Sequence, residues 1–464
     1  MKFEDAVFYQ IYPLGALGAP IDNDGVSEAA SRLARIVDWI PALERVGANA
    51  LVLGPVFQSE RHGYDTTDYG TVDRRLGTNA DLASLSAELK RHGIALVLDA
   101  VFNHVGRSHP FVRDVAEKGP SSPYARWIAG YDPRKPRQGG LPFAYENWAG
   151  HDGLVRLDTA YGEVREYLIQ TTLRWIDDFD IAGLRLDAAD RLDLGFMAEL
   201  GRRCKERRGD FFLFGEVVHG DTYARILAEG GLDSVTDYEA YKGLWSSYND
   251  KNYHEIAWTL NRLFGERGLC RGKLLYSFAD NHDVDRVASS LRSGTGLYPL
   301  YGLLFSMPGV PSLYYGSEFG IEGKRTNHSD AALRPELDPA SLPRTGPHPG
   351  LAAAIRRFAE ARRASPAVRF GSYRQVHVEA EGLVFLRMLE DAARGVGTVQ
   401  SDLALVAVNA SVSILSFHIH AAETANRELV DLLDPSYRLK PDGGGRAPIS
   451  VPPGWLRWLV PASR

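Results

Sequence analysis

Residues 95–102 read ALVLDAVF, and the polar pair Asn103-His104 follows directly. A short, continuous apolar run of this kind is typical of a parallel strand that is buried on both faces. Seven similar runs rich in β-branched and aromatic residues occur along the chain, each followed by a polar cluster. The predicted strands are 7–12, 50–53, 95–102, 183–187, 212–217, 234–238, 275–279 and 312–315.

The segments between these runs show helical periodicity. In 80–91 and 164–179 the apolar positions recur every three or four residues, as expected for helices that cover a sheet. Eight alternating strands and helices predict the α/β class and a closed (β/α)8 TIM barrel. An open doubly wound sheet is disfavoured, because no glycine-rich phosphate turn follows the first run at Tyr12.

Two parts of the chain depart from this alternation. Residues 105–161 are rich in proline, glycine and aromatics without clean periodicity, which predicts a small inserted subdomain after the third strand. Beyond residue 370 the runs 382–388, 403–408 and 414–420 alternate, which predicts a C-terminal antiparallel β-sandwich domain. The predicted domains are therefore 1–104 and 162–369 for the barrel, 105–161 for the insertion and 370–464 for the β domain.

The composition narrows the classes of partner. With 464 residues, 44% hydrophobic, 24% charged and a formal net charge of -6, the chain gives no electrostatic reason to bind nucleic acid or an anionic membrane. No apolar run is long enough to span a bilayer, and the start MKFEDAVFYQ lacks a signal-peptide core, so a cytoplasmic location is expected. The oligomeric state is left open.

Polar residues at the carboxyl ends of barrel strands are the candidates for chemistry. Arg185 and Asp187 are two residues apart on one strand, so both side chains point to the same face. A guanidinium beside a carboxylate keeps it ionised, as a nucleophile requires. A purely structural ion pair is the alternative interpretation.

Two further acids end strands of the same barrel. Glu216 follows the apolar run Phe211-Phe-Leu-Phe-Gly, whose surroundings favour a neutral carboxyl, and Asp283 follows the seventh strand. Glycoside hydrolysis needs one protonated and one ionised carboxyl, and a third acid can hold a sugar hydroxyl. Three acids that converge on one barrel mouth therefore indicate this chemistry.

Other hydrolase classes fit less well. His104 and His282 adjoin Asn or Asp at strand ends, where they could donate hydrogen bonds to sugar hydroxyls. The alternative is that they are structural histidines whose hydrogen bonds are made within the protein. A metal hydrolase is disfavoured, because the chain has no His-x-His or His-Glu-x-x-His pattern. A serine hydrolase is disfavoured as well, because Gly316-Ser317-Glu318 lacks the second glycine of a nucleophile elbow.

Taken together, these motifs resemble those of the α-amylase superfamily of glycoside hydrolases (family 13 type) along nearly the whole chain. The four signature regions are matched in order by Asp99-Ala-Val-Phe-Asn-His104, Gly183-Leu-Arg-Leu-Asp187, Phe214-Gly-Glu216-Val and Phe278-Ala-Asp-Asn-His-Asp283. The resemblance implies a retaining mechanism. Its implied catalytic residues are Asp187 as nucleophile, Glu216 as general acid/base and Asp283 as transition-state stabiliser, with substrate-binding roles for Tyr64, Asp99, His104, Arg185, His219 and His282.

Within the family, His62-Gly-Tyr-Asp-Thr-Thr-Asp-Tyr69 and Glu216-Val-Val-His219 resemble neopullulanase and cyclomaltodextrinase-type enzymes, whose N-terminal β domain has no counterpart in this sequence. The resemblance implies cleavage of α-1,4-glucosidic bonds in maltooligosaccharides, cyclodextrins or related α-glucans. An α-glucosidase or transglucosylase that acts on short α-glucosides is the alternative, because it uses the same acids.

No cofactor is expected for this chemistry, and the resemblance raises one structural metal. Several family members bind calcium partly through the asparagine that matches Asn103. Where they place Lys-His after the nucleophile region, this chain has Asp190-Arg191, so that ligand is not matched by type.

Overall fold

The computed structural model describes residues 2–135, 137–389 and 403–462. Within these ranges the strands are β1 (Phe8–Ile11), β2 (Ala50–Leu53), β3 (Phe57–Ser59), β4 (Thr66–Val72), β5 (Ala95–Ala100), β6 (His104–Gly106), β7 (Asn147–Trp148), β8 (His151–Arg156), β9 (Gly183–Leu186), β10 (Phe212–Gly215), β11 (Ser234–Val235), β12 (Tyr276–Phe278), β13 (Val310–Tyr314), β14 (Ser372–Glu379), β15 (Gly382–Met388), β16 (Leu403–Asn409), β17 (Leu415–His420), β18 (Leu429–Asp431), β19 (Arg438–Leu439), β20 (Arg446–Val451) and β21 (Trp455–Pro461). The α-helices are α1 (Pro13–Ala16), α2 (Ile40–Val46), α3 (Asn79–Arg91), α4 (Pro110–Lys118), α5 (Gly162–Phe179), α6 (Leu194–Arg207), α7 (Tyr223–Glu229), α8 (Tyr238–Asn249), α9 (Tyr253–Phe264), α10 (Val287–Ser290), α11 (Leu297–Ser306), α12 (Leu342–Thr345), α13 (Leu351–Ala364) and α14 (Pro366–Phe370).

Eight parallel strands form the central sheet, in the order β11-β10-β9-β5-β2-β1-β13-β12. A parallel bridge between Thr236 and Tyr276 joins the two edge strands and closes the sheet into a barrel. The predicted (β/α)8 barrel is therefore confirmed. Seven predicted runs contain one of its strands, and the eighth, 312–315, overlaps β13, which begins two residues earlier at Val310. The sixth run ends early, at Val235, because the Asp237 side chain caps α8 by accepting the backbone N–H of Ala240.

Aromatic side chains fill the barrel interior. Phe8, Phe214 and Tyr276 belong to one buried cluster, in which the rings of Phe214 and Tyr276 stack with their centroids 4.3 Å apart. Gly183 gives this cluster room, because a Cβ at that position would lie 2.5 Å from the carbonyl oxygen of Phe212. With the interior packed in this way, the polar residues that end the strands are left at the barrel mouth.

The inserted segment forms its own small antiparallel sheet, in the order β6-β8-β7. In this sheet His104 pairs with Arg156, which ties the segment to the end of the third barrel strand. The segment also carries Trp148 to the barrel mouth. The boundaries 1–104, 105–161, 162–369 and 370–464 stay predictions.

The C-terminal part is an antiparallel β domain, as predicted. A six-stranded sheet, β14-β15-β16-β21-β18-β19, and the two-stranded sheet β17-β20 enclose a separate apolar cluster that includes Leu405, Phe417 and Ile449. Among the described helices, none is long and apolar enough to cross a membrane.

Candidate active site

A cavity of about 1120 Å³ opens at the carboxyl ends of the barrel strands. Residues from the loops 18–21, 60–65 and 334–336, and from the start of β8 at 150–154, contribute to its walls. Five predicted site residues line it: Tyr64, His104, Asp187, Glu216 and Asp283. The predicted residues Asp99, Arg185 and His282 are buried directly behind this lining and bond to it.

Arg185 is the centre of a buried charge network. Its Nη1 atom lies 2.6 Å from both carboxylate oxygens of Asp99 and 3.3 Å from Oδ1 of Asp187. Its Nη2 atom lies 3.1 Å from Oε1 of Glu216. The pairing of β5 with β9 sets Asp99 opposite Arg185, which explains why Asp99 makes the shortest of these contacts. The single guanidinium of Arg185 thus contacts three carboxyl groups.

The predicted contact between Arg185 and Asp187 exists, but its expected effect is outweighed. Burial, followed by the negative charge of Glu216, raises the pKa of Asp187 well above its usual range, and Arg185 lowers that pKa by less. Arg185 thus acts in the predicted direction, but burial and Glu216 have the larger effect on the pKa of Asp187. The negative charge of Glu216 is the second cause of this raised pKa, after burial.

The Glu216 carboxyl is surrounded by hydrogen-bond donors, although an apolar strand leads to it. Besides Arg185, the backbone N–H of Ala188 donates to Oε2 at 3.1 Å, and the Tyr238 hydroxyl lies 3.4 Å from Oε1. Ala188 adopts a left-handed backbone with φ of 47°. Such a conformation costs a residue with a side chain roughly 1–3 kcal/mol and concentrates at functional sites. Here it directs an N–H group at Glu216.

Asp283 is the most open of these acids, with 32% of its side chain exposed. Arg334 Nη2 lies 2.9 Å from its Oδ1 atom, and His282 Nε2 lies 3.0 Å from Oδ2. Burial by itself raises the pKa of Asp283, but the proximity of His282 and Arg334 outweighs burial and holds it well below its usual range. Sequence reasoning missed Arg334; its spacing of four residues from Asp330 was the only signal.

Three rings stack at the wall of the cleft, where Tyr12 and Tyr64 line the cavity and His282 is buried. The Tyr64 and His282 rings lie 5.5 Å apart at 8°, and the Tyr12 and His282 rings lie 5.9 Å apart at 7°. The Tyr64 hydroxyl donates to Asp99 at 3.0 Å and also contacts His282 Nε2. Gln10 Nε2 lies 3.1 Å from Nδ1 of His282 and fixes the other edge of that ring. Burial raises the pKa of Tyr64 well above its usual range, so the hydroxyl stays protonated.

The remaining two predicted histidines lie in different places. The buried His104 ring stacks on Trp148 at 5.9 Å, and burial lowers the pKa of His104 to about 3, so this imidazole is neutral. His219 does not line the cavity. It is exposed in a neighbouring groove with Arg191 and Asp221, because the chain turns away once the Val217 N–H bonds to Thr236.

Asn103 is the residue that the resemblance raised as a possible calcium ligand. Its Oδ1 atom is buried without a hydrogen-bond partner, while its Nδ2 atom lies 3.1 Å from Nδ1 of His104. Calcium takes six to eight oxygen ligands, usually including carboxylates. Within the described ranges no group of three or more His, Cys, Asp and Glu side chains is placed to hold a metal ion. The possible calcium site at Asn103 therefore stays a prediction, and no step below uses one.

The fold and these motifs match a known family. Residues 22–342 match the family described as alpha amylase, catalytic domain. The chain belongs to the alpha-amylase family. This confirms the resemblance inferred from the four motifs.

Two curated members of the alpha-amylase family illustrate the relationship. The chain is 28% identical over 346 residues to an intracellular maltogenic amylase of Bacillus subtilis, covering 69% of this chain and 56% of that protein. It is 31% identical over 342 residues to neopullulanase 2 of Thermoactinomyces vulgaris, covering 69% and 57%. The chain thus spans less than two thirds of either relative's length.

Solved alpha-amylase structures align over the whole chain. A cyclic alpha-maltosyl-(1→6)-maltose hydrolase from Arthrobacter globiformis superposes with a TM-score of 0.78 at 26% identity, covering 99% of both chains. An alpha-amylase from Geobacillus thermoleovorans, solved with acarbose, superposes with a TM-score of 0.80 at 22% identity, covering 100% of both chains. The second likeness supports the fold alone.

Proposed function

We propose that this protein is a retaining glycoside hydrolase that cleaves α-1,4-glucosidic bonds in maltooligosaccharides, cyclodextrins or related α-glucans. One observation carries the proposal: Asp187, Glu216 and Asp283 face a single cavity of about 1120 Å³. The names of the maltogenic amylase and neopullulanase relatives support the substrate class. No cofactor is required by the steps below.

The first step forms a covalent intermediate. A carboxylate oxygen of Asp187 attacks the anomeric carbon, while Glu216 gives its proton to the departing glycosidic oxygen and the carbon–oxygen bond breaks. In the second step Glu216 takes a proton from water, and the resulting nucleophile displaces Asp187 from the anomeric carbon. Two inversions at one carbon leave the product with the configuration of the substrate.

The mechanism requires an ionised carboxyl at Asp187 and a protonated one at Glu216. The negative charge of Glu216 is a major cause of the raised pKa of Asp187. A proton on Glu216 would remove that repulsion, so Asp187 would ionise more readily beside Arg185.

The surrounding residues are proposed to hold the reacting sugar. Tyr64 offers a ring face in the cavity, and the neutral His104 offers a hydrogen bond that the protein leaves unused at Nε2. Asp283 accepts sugar hydroxyls. Asp99, Arg185 and His282 act from behind the lining by fixing Tyr64 and the acids. His219 lies in the neighbouring groove, where it reaches only the part of a substrate that extends past Arg191.

Product analysis tests the proposal. The purified protein is incubated with maltotriose, β-cyclodextrin, pullulan and sucrose, and proton NMR follows the anomer that is released first. We expect α-anomeric oligosaccharides, with no hydrolysis by Asp187→Asn. A β-anomer as the first product would exclude the retaining mechanism. Release of single glucose units alone, or transfer to sucrose, would instead favour the α-glucosidase or transglucosylase alternative.

A further inference from the structure

Arg334 enters the cleft from the segment that follows β13, on the opposite side of Asp283 from His282. Its Nη2 atom lies 2.9 Å from Oδ1 of Asp283, and its Nε donates to the carbonyl oxygen of His282 at 3.0 Å. Its guanidinium carbon lies 4.6 Å from the centre of the Tyr12 ring. Only 14% of the side chain is exposed, so these contacts are largely shielded from solvent.

These contacts leave half of the Asp283 carboxylate free. A carboxylate has about four acceptor directions, two on each oxygen. Arg334 takes one direction on Oδ1, and His282 takes one on Oδ2. The second acceptor direction on each oxygen is left free, and the Asp283 side chain is partly exposed and lines the cavity. The carboxylate is thus clamped from both sides with two acceptor sites open to sugar hydroxyls.

Arg334 also holds the ring stack. Its guanidinium covers Tyr12, which stacks on His282, which in turn stacks on Tyr64. The same side chain therefore fixes Asp283 directly and the Tyr64 ring through two intervening rings. A planar guanidinium suits this double task, because it stacks on one face and donates hydrogen bonds from its edge.

We propose that Arg334 is a positioning residue that clamps the Asp283 carboxylate in place for the transition state. The inference rests on the proposed glycoside hydrolase function. The charge of Asp283 acts on Asp187 across the cleft, and Arg334 places a positive charge on the other side of that interaction, beside Asp283. A residue that acts through Asp283 supports the transition state more than the ground state, so its loss lowers kcat rather than raising KM.

The test compares Arg334→Gln, Arg334→Lys and the control Arg35→Gln on maltotriose and maltoheptaose. Arg35 forms a similar ion pair at 3.0 Å, with Glu336 on the cavity wall rather than with one of the three proposed catalytic acids. We expect Arg334→Gln to lower kcat by about tenfold or more, equivalent to ~1.4 kcal/mol, with KM within about twofold of wild type. Arg334→Lys should recover part of the loss, because it restores the charge without the planar fork.

A double-mutant cycle gives the second measurement, using an aryl maltoside with a good leaving group so that slow variants can be followed. If Arg334 works through Asp283, Arg334→Gln should add little to the loss already caused by Asp283→Asn. If instead the two substitutions lower kcat by independent factors that multiply in the double variant, the inference is overturned. An Arg334→Gln variant with a raised KM and an unchanged kcat would overturn it as well. A wild-type protein that hydrolyses none of these substrates would instead refute the proposed function, and this inference with it.

Discussion

Asp187→Asn is expected to abolish activity and yet stabilise the fold at neutral pH. Burial and the neighbouring acids raise the pKa of Asp187 in the folded protein. Below about pH 4 this carboxyl is protonated in both the folded and the unfolded chain, so the substitution changes little. As the pH rises, the unfolded chain releases the proton first, and the folded wild type loses stability until its own higher pKa is passed. Asparagine carries no charge and avoids that loss.

The size of the gain follows from two opposing contributions. Each unit by which folding raises the pKa costs the wild type about 1.4 kcal/mol at high pH. Against this, the variant loses one contact with Arg185 at 3.3 Å, while Arg185 keeps Asp99 and Glu216. That loss is about 1 kcal/mol. We therefore expect a net gain of roughly 1 kcal/mol or more above pH 7, together with a fall in kcat of about 10⁴-fold or more.

Thermal unfolding at pH 4 and pH 8, followed by calorimetry, measures this gain. Asp283→Asn is the matched control with the opposite sign, because His282 and the ion pair with Arg334 lower the pKa of Asp283 and its carboxylate stabilises the fold at pH 8. The reasoning is refuted if Asp187→Asn melts below wild type at pH 8. It is also refuted if its gain is the same at both pH values.

Two further substitutions probe the cleft and the barrel wall. Tyr64→Phe removes the hydroxyl that bonds Asp99 and His282, so kcat/KM on maltotriose should fall about five- to tenfold, whereas unchanged kinetics would exclude a positioning role for that hydroxyl. Burial raises the pKa of Glu318 to about 7. Wild type should therefore lose about 3 kcal/mol of stability between pH 4.5 and pH 7 through this group, and calorimetry of Glu318→Gln should show a correspondingly smaller loss.

The barrel was predictable because its signal is local. A parallel strand covered on both faces must be apolar along its length, so each strand is visible in the sequence as a short run. The error at the sixth run has an equally local cause. Thr236 and Tyr238 are β-branched and aromatic residues of the kind that favours strands, yet Asp237 between them caps α8 and the strand ends at Val235. Composition alone does not distinguish a strand end from a helix start.

The site was only partly predictable, because its electrostatics depend on contacts between distant segments. The strand-end positions of Asp187, Glu216 and Asp283 followed from the motif pattern. The partner of Arg185 did not, since the close contact with Asp99 depends on the register of β5 against β9. Arg334 comes from a loop far along the chain and carries no motif of its own.

The placement of Asp99 explains why Asp187 remains available to react. Arg185 contacts Asp99 at 2.6 Å. A contact of the same length to Asp187, the proposed nucleophile, would stabilise its ionised carboxylate and so weaken it as an attacking group. Because Asp99 takes the closest contact, Asp187 keeps only the longer one at 3.3 Å and stays costly to ionise. An oxocarbenium-like transition state carries positive charge beside these acids. The repulsion that destabilises the empty cleft is therefore relieved when that charge develops, which links the raised pKa of Asp187 to the proposed chemistry.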